Sequence, residues 1–234
     1  MIKLINVSKR FGENVILDNI NLHIKQGKIL GIIGINGSGK TTLLNLLVGH
    51  HKPDNGSVLV KSREVKNIYN VAHFFGFATQ DGCFYPKLTV KENLQYFAGL
   101  YNLKKHDVDK NFENVSRLLN LYEKRDVLAE KLSAGMQRRL DVACSVIHDP
   151  QIILLDEPTA NLDPILRKEM SNLIRLLSSQ GKTIVLTSHL IEELEGTCHD
   201  VAILHNGKIQ KRSMRTIRKS RSSLENVFKK FVKA

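Results

Sequence analysis

Residues 34–41 read Gly34-Ile35-Asn36-Gly37-Ser38-Gly39-Lys40-Thr41, a set of types and spacings suited to holding a phosphate group. Backbone N–H groups converge on an anion only where side chains do not obstruct them, which accounts for the glycines at 34, 37 and 39. In such a loop Lys40 reaches the β- and γ-phosphates and the Thr41 hydroxyl takes a Mg²⁺ position. The apolar run Lys28–Ile33 before the loop reads as a strand. The segment Thr42–Val48 after it reads as a helix whose N-terminus faces the anion.

A second constellation lies downstream. Ile152-Ile153-Leu154-Leu155 is a fully apolar strand pattern that ends on Asp156-Glu157-Pro158. Two adjacent acids at the end of such a strand are unfavourable without a cation. In a phosphate-loop enzyme the first, Asp156, helps to hold Mg²⁺, and the second, Glu157, polarises the attacking water. Gln80 and His189 each follow an apolar run, Phe74–Ala78 and Thr183–Thr187, and so fall on the sheet edge where ligands bind. Taken alone, such a histidine is as often structural as functional. Phe11, beside Gly12, is able to stack on a purine, although by itself such a residue is more often a half-buried packing residue.

These residues need a scaffold, and the chain is large enough to supply one. It has 234 residues, 42% of them hydrophobic. Ile2–Val7 and Val15–Ile24 read as strands, Pro53–Gly56 as a turn into the strand Ser57–Val60, and Pro164–Ser179 as an amphipathic helix. Val201–His205, Asn206-Gly207 and Lys208–Gln210 form a hairpin pattern. From Asp81 to Leu132 the α/β alternation gives way to helices, Thr89–Tyr101 and Asp107–Leu121, which marks an inserted helical subdomain. Leu132-Ser133-Ala134-Gly135-Met136 then opens a helix that closes at Asp149-Pro150.

The net charge of +12 is concentrated: ten basic residues and a single acid fall from Lys208 onward, so the remainder is nearly balanced and no nucleic acid partner is expected. Lys211–Arg221 reads as a solvated basic connector, with contact to an anionic bilayer as the alternative. A short amphipathic helix follows, with Ser222 and Glu225 at capping-box spacing. Cys83, Cys144 and Cys198 are spaced as reduced thiols of a cytosolic protein, and neither a secretory leader nor a membrane span is expected.

Together these motifs resemble the ATP-binding subunit of ABC transporters over essentially the whole chain. Residues 34–41 look like Walker A and Ile152–Asp156 like Walker B, with Glu157 at the catalytic glutamate. Gln80 matches the Q-loop, Leu132–Met136 the signature, Ala160-Asn161-Leu162-Asp163 the D-loop, His189 the switch histidine and Phe11 the adenine-stacking aromatic. The resemblance implies an α/β phosphate-loop NTPase core, residues 1–80 and 133–210, with an antiparallel β subdomain. The helical subdomain would be residues 81–132, and residues 211–234 a basic linker and terminal helix.

It further implies that ATP and Mg²⁺ are bound, with Thr42 beside the phosphate loop and Gln80 joining Thr41 and Asp156 at the metal. Ser133, Ala134, Gly135 and Asp163 would act on nucleotide held by a second ATPase subunit in a head-to-tail dimer. Ala134 and Met136 depart from the commonest signature. Met136, the stretch Phe84–Leu94 and Ser223–Phe228 are similar to ATPases of ABC-2 type exporters. The expected protein is a cytoplasmic ATPase, peripheral on the membrane, that drives separate permease subunits. A soluble ABC ATPase remodelling a macromolecular scaffold is the alternative.

Overall fold

Runs of β-branched and aliphatic residues alternate with amphipathic segments along most of the chain, and the computed structural model describes residues 1–220 and 222–233. The first part contains β1 (Ile2–Phe11), β2 (Asn14–Ile24), β3 (Ile29–Ile33), α1 (Lys40–Leu47), β4 (Asn55–Val60) and the two-residue β5 (Arg63–Glu64). β6 (Phe75–Ala78) leads into the helical block, α2 (Val90–Leu100) and α3 (Lys105–Leu118). There follow α4 (Ala134–Val146), β7 (Ile152–Leu155), α5 (Pro164–Ser179), β8 (Thr183–Ser188), α6 (Ile191–Thr197), β9 (Asp200–His205), β10 (Lys208–Ser213), α7 (Met214–Lys219) and α8 (Leu224–Val232).

Two sheets result. An antiparallel sheet runs β2-β1-β4-β5, and a six-stranded sheet runs β10-β9-β3-β8-β7-β6, parallel except for β10. Successive residues of a strand face opposite sides, so the central strands feed two cores. Leu30, Ile32, Ile152 and Leu154 pack with α1 and the antiparallel sheet. Ile29, Ile33, Ile153 and Leu155 pack with the helices of the opposite side. The central strands are accordingly apolar on both faces, as parallel strands covered on both sides must be.

The helical block is tied down locally. Thr89 and Glu92 form a reciprocal capping box at the start of α2, with Glu92 N–H donating to Thr89 Oγ1 at 3.1 Å and Thr89 N–H to Glu92 Oε2 at 2.7 Å. Buried Asn93 closes the preceding turn, donating to the carbonyls of Tyr85, Leu88 and Thr89 and accepting from Tyr85 N–H.

The end of the chain differs from its sequence reading. β10 continues to Ser213, and the segment read as a basic connector forms α7, with Met214 and Ile217 buried in the helix-side core while Arg215, Arg218 and Lys219 face solvent. Two apolar residues three apart suffice to dock one turn and a half of helix; Arg221 lies outside the described residues. The cap of α8 is Ser223 rather than Ser222: its Oγ accepts from Asn226 N–H at 3.2 Å. Burial of Leu224 makes it the first helical residue and shifts the cap by one.

Candidate nucleotide site

β3 delivers the phosphate loop at its C-terminal end, and α1 begins on Lys40. The loop needs its glycines for different reasons. A Cβ on Gly34 would lie 2.4 Å from Ser38 Oγ and 2.6 Å from Leu204 O, while Gly39 and Gly37 take φ +98° and +79°. Around Gly37 there is open space.

The loop opens on a cleft of about 360 Å³ lined by Phe11, Ile16, Asn36, Gly37, Gly39, Lys40, Thr41, Thr42, Gln80 and Glu157. Phe11 ends β1 and is half exposed, edge-on to the His51 ring at 5.4 Å. Gly34, Ile35 and Ser38 belong to the same loop. Most of the sequence-predicted binding residues therefore meet in one place.

The acids join the loop through hydroxyls. Thr41 Oγ1 donates to Asp156 Oδ2 at 2.7 Å and Thr187 Oγ1 to Asp156 Oδ1 at 2.6 Å. Thr187 Oγ1 also accepts from Glu157 N–H at 2.9 Å, so one strand-end hydroxyl of β8 fixes both acids at the end of β7. The Glu157 backbone sits at φ +47°, a left-handed conformation that turns its side chain out of the strand direction. Its carboxylate lies between two nitrogens: Lys40 Nζ is 3.4 Å from Oε1 and His189 Nδ1 is 2.9 Å from Oε2. Lys40 Nζ also donates to the carbonyls of Gly34 at 3.0 Å and Ile35 at 3.3 Å.

The remaining predicted residues lie elsewhere. Ser133 caps α4, accepting from Met136 N–H at 3.4 Å, and Asp163 caps α5, accepting from the N–H groups of Ile165 and Leu166 at 2.9 and 3.0 Å. Ser133, Ala134 and Asp163 are exposed and Gly135 is buried against Leu166; none of the four lines the cleft.

Several residues that the sequence reading did not single out hold the site. Besides Thr187, Arg138 on α4 is buried and donates to five backbone carbonyls at the ends of β6 and β7. Burial lowers its pKa, opposed by Asp141, whose own carboxyl is raised by burial. Glu193 Oε2 accepts from Thr159 Oγ1 at 2.6 Å and Ser188 Oγ at 2.8 Å, bracing the segments on either side of the Glu157–His189 contact. In the sequence Arg138 and Asp141 share, at i and i+3, a stripe with Val142 and Ser145, which is the one available hint of burial.

The site's chemistry fits a nucleotide triphosphate with a hard cation. Ser38 Oγ is buried without a hydrogen-bond partner among the described residues, beside the open face at Gly37, as a group set to meet a phosphate oxygen would be. Thr41 and Asp156 supply oxygen donors only, the set that Mg²⁺ prefers when phosphates complete its shell.

The family model for the ABC transporter matches residues 17–160. The chain belongs to the ABC transporter family. The Nod factor export ATP-binding protein I of Sinorhizobium fredii is 36% identical over 208 residues, 88% of this chain and 61% of that protein, so the chain spans about three fifths of that relative's length. A solved ATP binding subunit of an ABC transporter shares the fold with a TM-score of 0.86 at 22% identity, covering 98% of each chain. A dimeric ATP-binding cassette in a post-hydrolysis state, bound to ADP and Pi, has a TM-score of 0.80 at 28% identity, covering 92% of this chain and 99% of that one. The α/β fold, with its antiparallel sheet and helical block, is that of an ABC ATP-binding domain.

Proposed function

We propose that this chain binds and hydrolyses ATP as the motor subunit of an ABC-2 type exporter, and that two copies close head to tail around two nucleotides. The observation that carries this reading is the division of the site. The cleft holds the phosphate loop, Phe11, Gln80 and Glu157, while Ser133, Gly135 and Asp163 of the same chain stay outside it. Ile35 and Ile165, beside these two halves, are 53% and 73% exposed, a surface that a second copy would cover.

Phe11 would stack on adenine and the N–H groups of residues 36–42 would cradle the phosphates. Thr41, Gln80 and Asp156 would hold Mg²⁺, which when bound neutralises charge on the β- and γ-phosphate oxygens. Glu157 orients a water for in-line attack and accepts its proton as the water oxygen bonds to phosphorus and the ADP oxygen departs. Lys40 and His189 keep the carboxylate in place, 3.4 and 2.9 Å from its two oxygens. Ser133 and Gly135 of a second copy would complete the γ-phosphate shell.

No helix among the described residues is long and apolar enough to cross a membrane. On this reading the transport path belongs to separate permease subunits, with the ATPase peripheral on the cytoplasmic face. Arg212, Arg215, Lys229 and Lys230 are exposed. Against an anionic bilayer each would contribute about 1 kcal/mol.

The deciding experiment is gel filtration of Glu157→Gln with ATP and Mg²⁺. A shift to dimer together with a loss of hydrolysis of about 10²–10⁴-fold is expected. Wild-type hydrolysis at a concentration-independent rate by a monomer that tolerates Ser133→Ala would overturn the reading.

A further inference from the structure

Arg138 is 8% exposed, and the use of its guanidinium is unusual for a helix residue. Nε donates to Pro158 O at 3.0 Å, Nη1 to Thr79 O at 2.8 Å and to Gln80 O at 3.5 Å, and Nη2 to Asp156 O at 2.9 Å and Glu157 O at 3.1 Å. Its nearest acid, Asp141, is 3.6 Å away and receives Cys83 N–H at 2.8 Å. One turn of α4 thus grips the backbone of the two proposed Mg²⁺ ligands Gln80 and Asp156, of the proposed water-orienting residue Glu157, and of the stretch that continues from Gln80.

Packing alone does not account for this. Burying a cation whose partners are mainly neutral carbonyls is costly, and a side chain kept for its volume alone would be apolar. What an apolar residue cannot do is fix five carbonyls to one planar fork. The same helix presents Ser133 and Gly135 at its N-terminal end, five residues or about 7.5 Å of helix rise away. Ser133 at that end is exposed, whereas the Arg138 end is held to the backbone of the chain's own acids.

Building on the two-copy reading above, we propose that Arg138 is a positioning residue that couples the two nucleotides of a dimer. When Ser133 and Gly135 engage the nucleotide held by the second copy, α4 moves as a unit. Arg138 transmits that displacement to the carbonyls of Asp156, Glu157 and Gln80, so each site is aligned for hydrolysis only when the other is filled.

The test is Arg138→Lys, which keeps the charge and loses the fork, in the full chain. Hydrolysis is measured against ATP concentration, alongside ADP affinity, thermal unfolding and the ATP-induced dimerisation of the Arg138→Lys, Glu157→Gln double variant. The expected result is unchanged ADP affinity and retained dimerisation. The turnover number should fall about 10–100-fold, as for other residues that orient metal ligands from behind. The Hill coefficient should fall from well above one in the wild type, out of a maximum of about two, to about one.

A purely structural arginine would lower Tm and turnover and leave the Hill coefficient where it was; that result, or a wild-type Hill coefficient of about one, overturns the proposal. If Arg138→Lys does not fold, Asp141→Asn is read instead and must lower the Hill coefficient in the same way. Failure of Glu157→Gln alone to dimerise refutes the two-copy reading itself, whereas dimerisation with an unmoved Hill coefficient refutes only the role of Arg138.

Discussion

Replacing Thr187 by valine removes one oxygen and leaves the strand shape intact, and that oxygen is engaged on both sides. It donates to Asp156 Oδ1 at 2.6 Å and accepts from Glu157 N–H at 2.9 Å, with Thr187 0% and Asp156 4% exposed. A hydrogen bond to a charged group contributes about 1.5–3 kcal/mol, and a buried donor left without a partner costs about 1–3 kcal/mol. The two terms overlap, because both acids can shift slightly, so we expect a loss of about 3–5 kcal/mol. For a domain of this size that is a fall in Tm of roughly 6–20 °C. Thr187→Ser keeps the oxygen and loses a methyl, and should stay within about 1.5 kcal/mol of the wild type. Urea unfolding in EDTA without nucleotide measures both, with the slope of the transition checked for constancy. If Thr187→Val is as stable as Thr187→Ser, the hydroxyl does not bind the two acids together and the account of the site given above is wrong.

Two further outcomes follow from the geometry. Phe11→Ala should weaken ATP binding by about 1–3 kcal/mol, or about 5- to 150-fold in Kd, while Phe11→Tyr leaves it nearly unchanged; titration with a fluorescent nucleotide measures both. His148 stacks on Tyr101 at 3.5 Å, and burial depresses its pKa from 6.5 to about 4. The unfolded chain therefore binds this proton more readily than the native one. This contribution is fully present above pH ~6.5 and is lost as pH falls towards 4, in total about 3 kcal/mol. His148→Phe should flatten the stability profile between those pH values, as read by urea midpoints; an unaltered slope would show that His148 does not titrate abnormally.

Much of the architecture could be read from pattern because the pattern has one physical meaning. A continuous apolar run ending in acids, such as Ile152–Glu157, is a covered parallel strand. Pro164–Ser179, with proline first and aliphatics at helical spacing, is an amphipathic helix with the bounds that the structure gives it. The order of the six strands was not legible, since nothing local to β3 distinguishes β8 and β9 as its neighbours. α6 escaped notice because it is only about two turns long and Leu190 supplies no side-chain cap. β5 has only two residues.

In the site, residues that meet a ligand carry unusual types at fixed spacing and so announce themselves. Those that hold them do not. A threonine near the end of an apolar strand is ordinary strand composition, and an arginine in a helix reads as solvated. Thr187 and Arg138 acquire meaning only when β7, β8 and α4 are brought together. The basic run after Lys208 misled in the opposite direction, because its charges concealed Met214 and Ile217.

The central strands carry nearly interchangeable aliphatics on both faces, so hydrophobicity says little about how far one strand has slid along the next. Displacing β7 by a single residue would trade Ile152 and Leu154 for Ile153 and Leu155 at almost no loss of apolar contact. What such a slip would forfeit is the docking of Asp156 onto Thr41 and Thr187. The polar tips of the strands thus act as an alignment key for the sheet. A chain that has assembled out of step has, by the same error, failed to build its reaction centre.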